Sequence, residues 1–315
     1  MANATLLLPA RSRFGGQRLS DATGKALARS DRSERPGDAM ADLLDVLPRG
    51  WPVAAAARQR DVGDAANALW LRADPAFVRP DINGARLLSY GEALRLSADD
   101  AHALLRPLKP LFGDAGFPID APSPSRWYVR LPQGAKLPEF TPPEQALGAD
   151  LFDELPQGPE GRRWRALLSE AQVVLHNHPL NAQRVAAGLA PVNSLWFWGA
   201  GALPDRVQAR FARIASDDES LTALAALAGA NVSARPAAWR GGERGDALVD
   251  LRDVRDLAVL ERDWFAPLLA SLADRGLARV RLDFDDGARY DLARSQRWRF
   301  WRRPLRSFVA STESA

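Results

Sequence analysis

The chain has 315 residues, more than one hydrophobic core usually organises, so two domains, or one core with a large insertion, are expected. Hydrophobic residues make up 46% and charged residues 26%, which excludes a fibrous or wholly disordered chain, and the lack of cysteine excludes a disulfide frame, a thiolate nucleophile and a Cys-ligated metal. With 42 basic and 39 acidic residues the net charge is only +3, too balanced for a general nucleic-acid coat.

No apolar run approaches the roughly 20 residues that span a bilayer. Near the N-terminus only Leu6 to Leu8 are continuously apolar before Arg11 intervenes. Both features predict a soluble cytoplasmic protein without a membrane partner.

In chain order, Thr5 to Ala10 reads as a short buried strand, and an alanine-rich helix follows from about Ser20, an opening that suits an α/β domain. Residues 30–38 are polar, contain Pro36 and Gly37, and read as a loop; Ala39 to Leu47 shows helical spacing of apolar residues. From Asn67 the texture turns to short β-like runs, broken at Asp74-Pro75 and turned at Asn83-Gly84. Ser97 caps a helix, and after a Pro-rich loop Arg126 to Leu131 forms a strand. Residues 132–161 hold many Pro and Gly and read as a return linker, after which a helix delivers the chain to His176.

In the strand from Ser194 to Trp198, Trp196 and Trp198 alternate with Leu195 and Phe197, so both faces are apolar and a central position in a sheet is predicted. An alanine-leucine helix lies beyond Ser216, and a loop spans Arg240 to Asp246. A long amphipathic helix covers Leu257 to Ala273, and two last strands turn at Asp285-Asp286-Gly287.

The stretch from His176 to Gly201 concentrates polar and aromatic residues. His176 and His178 lack a matched third ligand and read as hydrogen-bonded structural residues. Asn181, Arg184 and Asn193 either tie the helix that Pro179 begins or grip a phosphate or carboxylate, the arginine supplying a fork. Gly199 and Gly201 would let a ligand approach the strand's carboxyl end, completing the ligand-binding candidates. The run from Arg294 to Arg306 interleaves arginines with aromatic rings. Its Arg297, Trp298, Arg299, Trp301, Arg302 and Arg303 are candidate contacts to nucleic acid or another anion, or else pack the tail onto an acidic surface.

The pattern HPLNAQRVAAGLAPVNSLWFWGAG, from His178 to Gly201 with Pro204 after it, resembles a signature of archaeal-type cofactor-independent phosphoglycerate mutases. The segment from Trp70 to Leu94 and SRWYVRL, from Ser125 to Leu131, are similar to the inserted domain of that family. With its SLWFWGAG and RWRFWRRP motifs, the whole chain is similar to a proteobacterial group identified as phosphoglycerate-mutase-like or regulatory protein RpfE.

The resemblance implies an α/β fold of the alkaline phosphatase superfamily: a discontinuous core (1–66 and 190–315) whose sheet is flanked by helices, and a smaller inserted α/β domain (67–189). It also implies a two-metal site and a serine that takes up and returns a phosphoryl group. Pro9 and Ala10 stand where the first metal-binding Asp should follow the opening strand, no histidine follows His178, and no serine lies between Val53 and Ala66. Near the C-terminal ligand positions only Asp250, Asp253, Asp283, Asp285 and Asp286 are left, a set that suits Mg²⁺ better than Zn²⁺ or Mn²⁺.

The expectation is therefore a degenerate, non-catalytic regulatory or binding protein without a cofactor or catalytic residues, its partner a phosphorylated small molecule or a protein. The alternatives are a phosphoglycerate mutase or phosphatase with a divergent Mg²⁺ or Mn²⁺ site, and a nucleic-acid-binding regulator acting through the Arg/Trp tail.

Overall fold

The computed structural model describes residues 2–37, 39–81, 84–241 and 245–309. It is a mixed α/β protein whose sheets are flanked by helices, and the chain divides into two compact units. One is discontinuous, Met1–Val46 with Arg206–Ala315; the other is continuous, Leu47–Asp205.

The discontinuous unit opens with β1 (Ala2–Leu8), then α1 (Asp21–Arg29), β2 (Asp31–Glu34), α2 (Ala39–Leu43) and β3 (Leu44–Leu47). Ser20 accepts from the Thr23 backbone N–H and so starts α1 near the expected place. Two expectations are corrected here. Residues 31–34 form a strand rather than a loop: β2 is exposed along its length and, among the described residues, pairs only with β14 at the sheet's end, and a charged sequence suits such an edge. The expected helix over Ala39 to Leu47 stops at Leu43, because burial then alternates, with Leu44 and Val46 inside and Asp45 and Leu47 outside.

The continuous unit contains α3 (Val53–Asp61), β4 (Leu69–Asp81), β5 (Gly84–Tyr90), α4 (Ala98–Asp114), β6 (Ile119–Ser123) and β7 (Arg126–Leu131). The short helices α5 (Pro143–Ala146) and α6 (Leu151–Glu154) interrupt the expected linker, and α7 (Gly158–His176), α8 (Pro179–Ala186) and β8 (Ser194–Ala202) follow. Its antiparallel sheet runs β5-β4-β7-β6, with β8 also on β4. The turn expected at Asn83-Gly84 lies partly outside the described residues.

β4 runs unbroken through Asp74-Pro75, contrary to expectation. Its residues from Leu69 to Arg72 pair with β7 and those from Ala76 to Asp81 with β5, along one edge. Pro75 falls in the gap between these partners. The Ala76 carbonyl and the Val78 N–H both point to the β8 side, so strand alternation turns the Pro75 nitrogen into the gap, where no ladder needs its missing donor.

β8 is not a central strand: among the described residues it pairs with β4 alone. Its two apolar faces are covered by helices instead. Leu195 and Phe197 pack in a cluster with α4 and α7, and Trp196 and Trp198 pack with Val53 of α3. Because α3 and β8 pack on β4, the boundaries of the continuous unit fall at 46/47 and 205/206, outside the 66/67 and 189/190 steps expected.

The chain then returns to the discontinuous unit through β9 (Arg206–Ala209), β10 (Arg213–Ala215), α9 (Glu219–Leu227), β11 (Asn231–Ser233) and β12 (Ala247–Asp250). The expected loop between Arg240 and Asp246 lies partly outside the described residues. The long helix predicted for Leu257 to Ala273 consists of α10 (Leu257–Leu260), a π-helical turn (Glu261–Phe265) and α11 (Ala266–Ala273). β13 (Leu277–Phe284) and β14 (Ala288–Ala293) make the expected antiparallel pair.

The resulting seven-stranded sheet has the order β11-β10-β12-β1-β13-β14-β2. β1 lies parallel to β12 and β13, and β10 parallel to β11 and β12, so the carboxyl ends of five strands gather at one edge. Among the described residues no helix is long and apolar enough to cross a membrane.

Candidate functional site

Open parallel sheets place their chemistry at the carboxyl edge of the strands. In the discontinuous unit that edge is acidic: β10 leads to Asp217 and Asp218, β12 ends in Asp250 ahead of Asp253, and β13 leads to Asp285 and Asp286. The loops are tied to β1, since Leu251 N–H donates to the Leu7 carbonyl and Asp285 N–H to that of Leu8, both at 2.8 to 2.9 Å.

Arginine faces Asp217, Asp218, Asp250, Asp253 and Asp286. Arg252 Nε donates to Asp250 Oδ1 at 2.9 Å, and its Nη2 reaches Asp250 Oδ2 at 2.8 Å and Asp218 Oδ2 at 2.6 Å. The Ser216 hydroxyl also donates to Asp250 Oδ2, at 2.8 Å. Arg235 forks onto Asp253, with Nη2 to Oδ2 at 2.9 Å, and its backbone N–H donates to Asp217. Arg11 Nε donates to Asp286 Oδ2 at 2.8 Å. Asp283 is buried between Arg35 and Arg289.

Protonation follows this pairing. Burial works to lower the Arg252 pKa, but the hydrogen bonds and charges of Asp250 and Asp218 outweigh it and hold the guanidinium above its ordinary value. The hydrogen bond from Arg235 holds the Asp253 carboxyl below the usual carboxylate range.

The metal pair implied by the resemblance needs several carboxylates or imidazoles with lone pairs turned to one point. In this edge the lone pairs are turned to guanidinium groups, and all three histidines, His102, His176 and His178, lie in the continuous unit. Among the described residues no group of three or more His, Asp or Glu side chains is placed to hold a metal ion. This donor set does not fit the pair.

In the continuous unit, the His176 to Gly201 segment is a set of ties. His178 caps α8, its Nδ1 accepting from the Leu180 N–H at 3.3 Å. Buried Asn181 donates to the carbonyls of Leu175 and Val192 at 2.8 and 2.9 Å and accepts from the Val192 N–H at 2.8 Å. Arg184, also buried, donates to the Ala190 and Leu94 carbonyls and to Asp100. Asn193 pairs with the backbone of Val78, accepting its N–H at 2.9 Å and donating to its carbonyl at 2.8 Å.

The two glycines serve a close approach within the chain. A Cβ on Gly201 would lie 2.6 Å from Pro52 Cβ, and one on Gly199, whose φ is +66°, 3.1 Å from Val53 Cβ. The start of α3 thus occupies the space that the sequence reading reserved for a ligand. Beside α8 a groove of about 640 Å³ remains, lined by Phe77, Pro80, Val185 and Pro191 with Arg79, His176, Asn181 and Asn193.

The C-terminal candidates divide into two groups. Arg299 and Arg302 are anchors, donating to the carbonyls of Arg29, Ala28 and Ser30 at the end of α1, where cations suit the helix dipole. Arg297 lies 4.8 Å from the Trp298 ring centroid, and Arg303 is exposed. Trp298, Phe300 and Trp301 are exposed at 65%, 75% and 69%, so this stretch does not bury its rings.

Two groups of residues escaped the sequence reading. The arginines of the sheet edge were one, although Asp250-Leu251-Arg252-Asp253 places opposite charges at two-residue spacing. The other is a buried ion pair in β4: Arg72 Nε and Nη2 each meet the Asp74 carboxylate at 2.9 Å, and Trp198 Nε1 donates to Asp74 Oδ2 at 2.7 Å. Arg72 and Asp74 are alternate residues on one strand face, which is the signal that was available.

No family model matches the chain. It is 39% identical over 66 residues to the 2,3-bisphosphoglycerate-independent phosphoglycerate mutase of Methanosarcina barkeri, a match covering 21% of this chain and 17% of that protein. A probable enzyme of the same name from Geobacter sulfurreducens is 38% identical over 63 residues, or 20% of this chain and 16% of its own length. The chain is distantly similar to cofactor-independent phosphoglycerate mutases. The matched part is about a sixth of those curated relatives. A structure of the cofactor-independent phosphoglycerate mutase from Thermoplasma acidophilum aligns over 93% of this chain and 90% of its own, with 17% identity and a TM-score of 0.42.

Proposed function

We propose that the chain is a non-catalytic relative of the cofactor-independent phosphoglycerate mutases that acts by binding, in a regulatory role, as expected for the phosphoglycerate-mutase-like or RpfE group. The observation that carries this reading is Arg252, whose guanidinium lies among carboxylates at the sheet edge where phosphoryl-transfer chemistry would need cations of higher charge. An arginine neutralises Asp250 and Asp218 but cannot activate a nucleophile as a bound divalent ion does.

For the binding partner, the groove beside α8 supports a protein over a phosphorylated metabolite. Its lining is mostly apolar with a single arginine, Arg79, beside His176, and Arg184, the one arginine of the signature segment, is buried and engaged with the fold, so the groove lacks the cluster of cations that a phosphate would draw on. The test is a phosphoglycerate mutase and phosphatase assay of the full chain, with and without added Mn²⁺. No turnover under either condition is expected; turnover that depends on the metal would make the chain an enzyme with a divergent site.

A further inference from the structure

We propose that the discontinuous unit binds a single-chain amphiphile with an anionic head, in the groove between α1, α11 and the turn that follows β14. This site is independent of the functional reading above and lies away from the carboxylates of the sheet edge.

The groove has a volume of about 280 Å³, near the lower end of sites that hold small organic ligands. Its floor is aliphatic, made by Ala26 of α1, Leu269, Leu272 and Ala273 of α11, and Leu292 of β14. A small adjoining pocket of about 10 Å³ is lined by Leu27, Phe265, Leu268 and Leu282, with Thr23 its one polar residue. Phe265 is the last residue of the π-helical turn, a local widening that recurs at functional sites.

The rim has the opposite character. Arg29, Arg294 and Arg297 all line the groove, and among the described residues none of their guanidinium groups has an acidic partner. They differ in this from the arginines of the acidic sheet edge, where Arg11, Arg235 and Arg252 each bond an aspartate. An apolar floor under three uncompensated cations is complementary to an aliphatic chain ending in a carboxylate or phosphate, the head group taking charge-assisted hydrogen bonds from the rim. The small, one-chain volume favours a monomeric amphiphile over a lipid surface or a peptide helix.

Isothermal titration of the full chain with decanoate, below its micelle threshold, tests the site, with decanol and decyltrimethylammonium as controls. Saturable binding of decanoate at one site is expected, with weaker binding of both controls. The Arg294→Gln/Arg297→Gln double variant should weaken decanoate by at least about tenfold, the loss expected for charge-assisted bonds. Arg303→Gln, off the groove, should leave binding unchanged. Ala273→Phe, which fills the groove, should abolish binding while circular dichroism reports an unaltered fold. Equal binding of decanol, or decanoate binding that survives the double variant, would overturn the proposal. So would the absence of saturable heat, or association only with anionic phospholipid vesicles or a single-stranded oligonucleotide.

Discussion

Arg252 and Asp250 meet fork to fork at the carboxyl edge of the parallel sheet, with Nε on Oδ1 at 2.9 Å and Nη2 on Oδ2 at 2.8 Å. Asp250 is 6% exposed, and Arg252 supplies the charge that balances it while the Ser216 hydroxyl adds a hydrogen bond. Arg252→Ala should therefore lower the stability of the discontinuous unit by about 1–3 kcal/mol, the cost of leaving a buried carboxylate short of its charged hydrogen-bond partner. Urea denaturation followed by tryptophan fluorescence measures the loss. The double variant Arg252→Met/Asp250→Leu should recover much of it, because no buried charge is then left unpaired.

Asp74 holds the continuous unit together in the same way, accepting from Arg72 and from the Trp198 indole. Asp74→Ala leaves Arg72, which is 1% exposed, without its carboxylate, and should cost about 3–5 kcal/mol. The Trp198 emission should shift as its hydrogen bond is lost, and a spectrum identical to wild type would contradict the assignment.

Gly201→Ala places a Cβ 2.6 Å from Pro52 Cβ, and the ring cannot retreat without moving the start of α3. A loss of about 1–3 kcal/mol is expected, as for other overpacked sites. If α3 were not seated on β8, the thermal midpoint of this variant would match wild type.

Acid should destabilise the chain through its aspartates. Arg235 lowers the Asp253 carboxyl by a hydrogen bond, and Arg58 does the same for Asp64. At Asp61 burial works in the other direction, but the hydrogen bonds from Arg126 and Tyr128 outweigh it. The unfolded chain takes up these protons near pH 4, before the folded chain does. Their stabilisation is thus complete above about pH 5 and declines as pH falls through the lowered folded values. Urea midpoints measured from neutral pH downward should stay flat and then drop, and Arg235→Gln should make the acid branch shallower.

The strands and helices with strong local patterns were legible in the sequence. Ser97 caps α4 in a full capping box with Asp100, Arg126–Leu131 is a strand as written, and the β13–β14 pair turns where Gly287 allows it. What the sequence hid depends on partners distant along the chain. Pro75 looked like a strand break because the gap between β5 and β7 on one edge of β4 is a fact of tertiary pairing. β8 looked central because burial on both faces is the same whether its neighbours are strands or helices.

The site was legible in outline only. Asn181, Arg184 and Asn193 stood out as polar residues that need partners, and the structure shows those partners to be the backbone around α8 and β4 together with Asp100. Five aspartates near the C-terminus were visible too. Their arginines were not, because Arg11 and Arg35 come to Asp286 and Asp283 from the other end of the chain.

Elemental analysis of the purified full chain, after equilibration with Mn²⁺ and Mg²⁺ and removal of free ions, tests the arginine-closed edge most directly. The account predicts no stoichiometric divalent ion, since Asp218, Asp250, Asp253 and Asp286 already face guanidinium groups. A tightly bound divalent ion lost on substituting Asp250 would contradict it, and would return the carboxyl edge to the role of a metal centre.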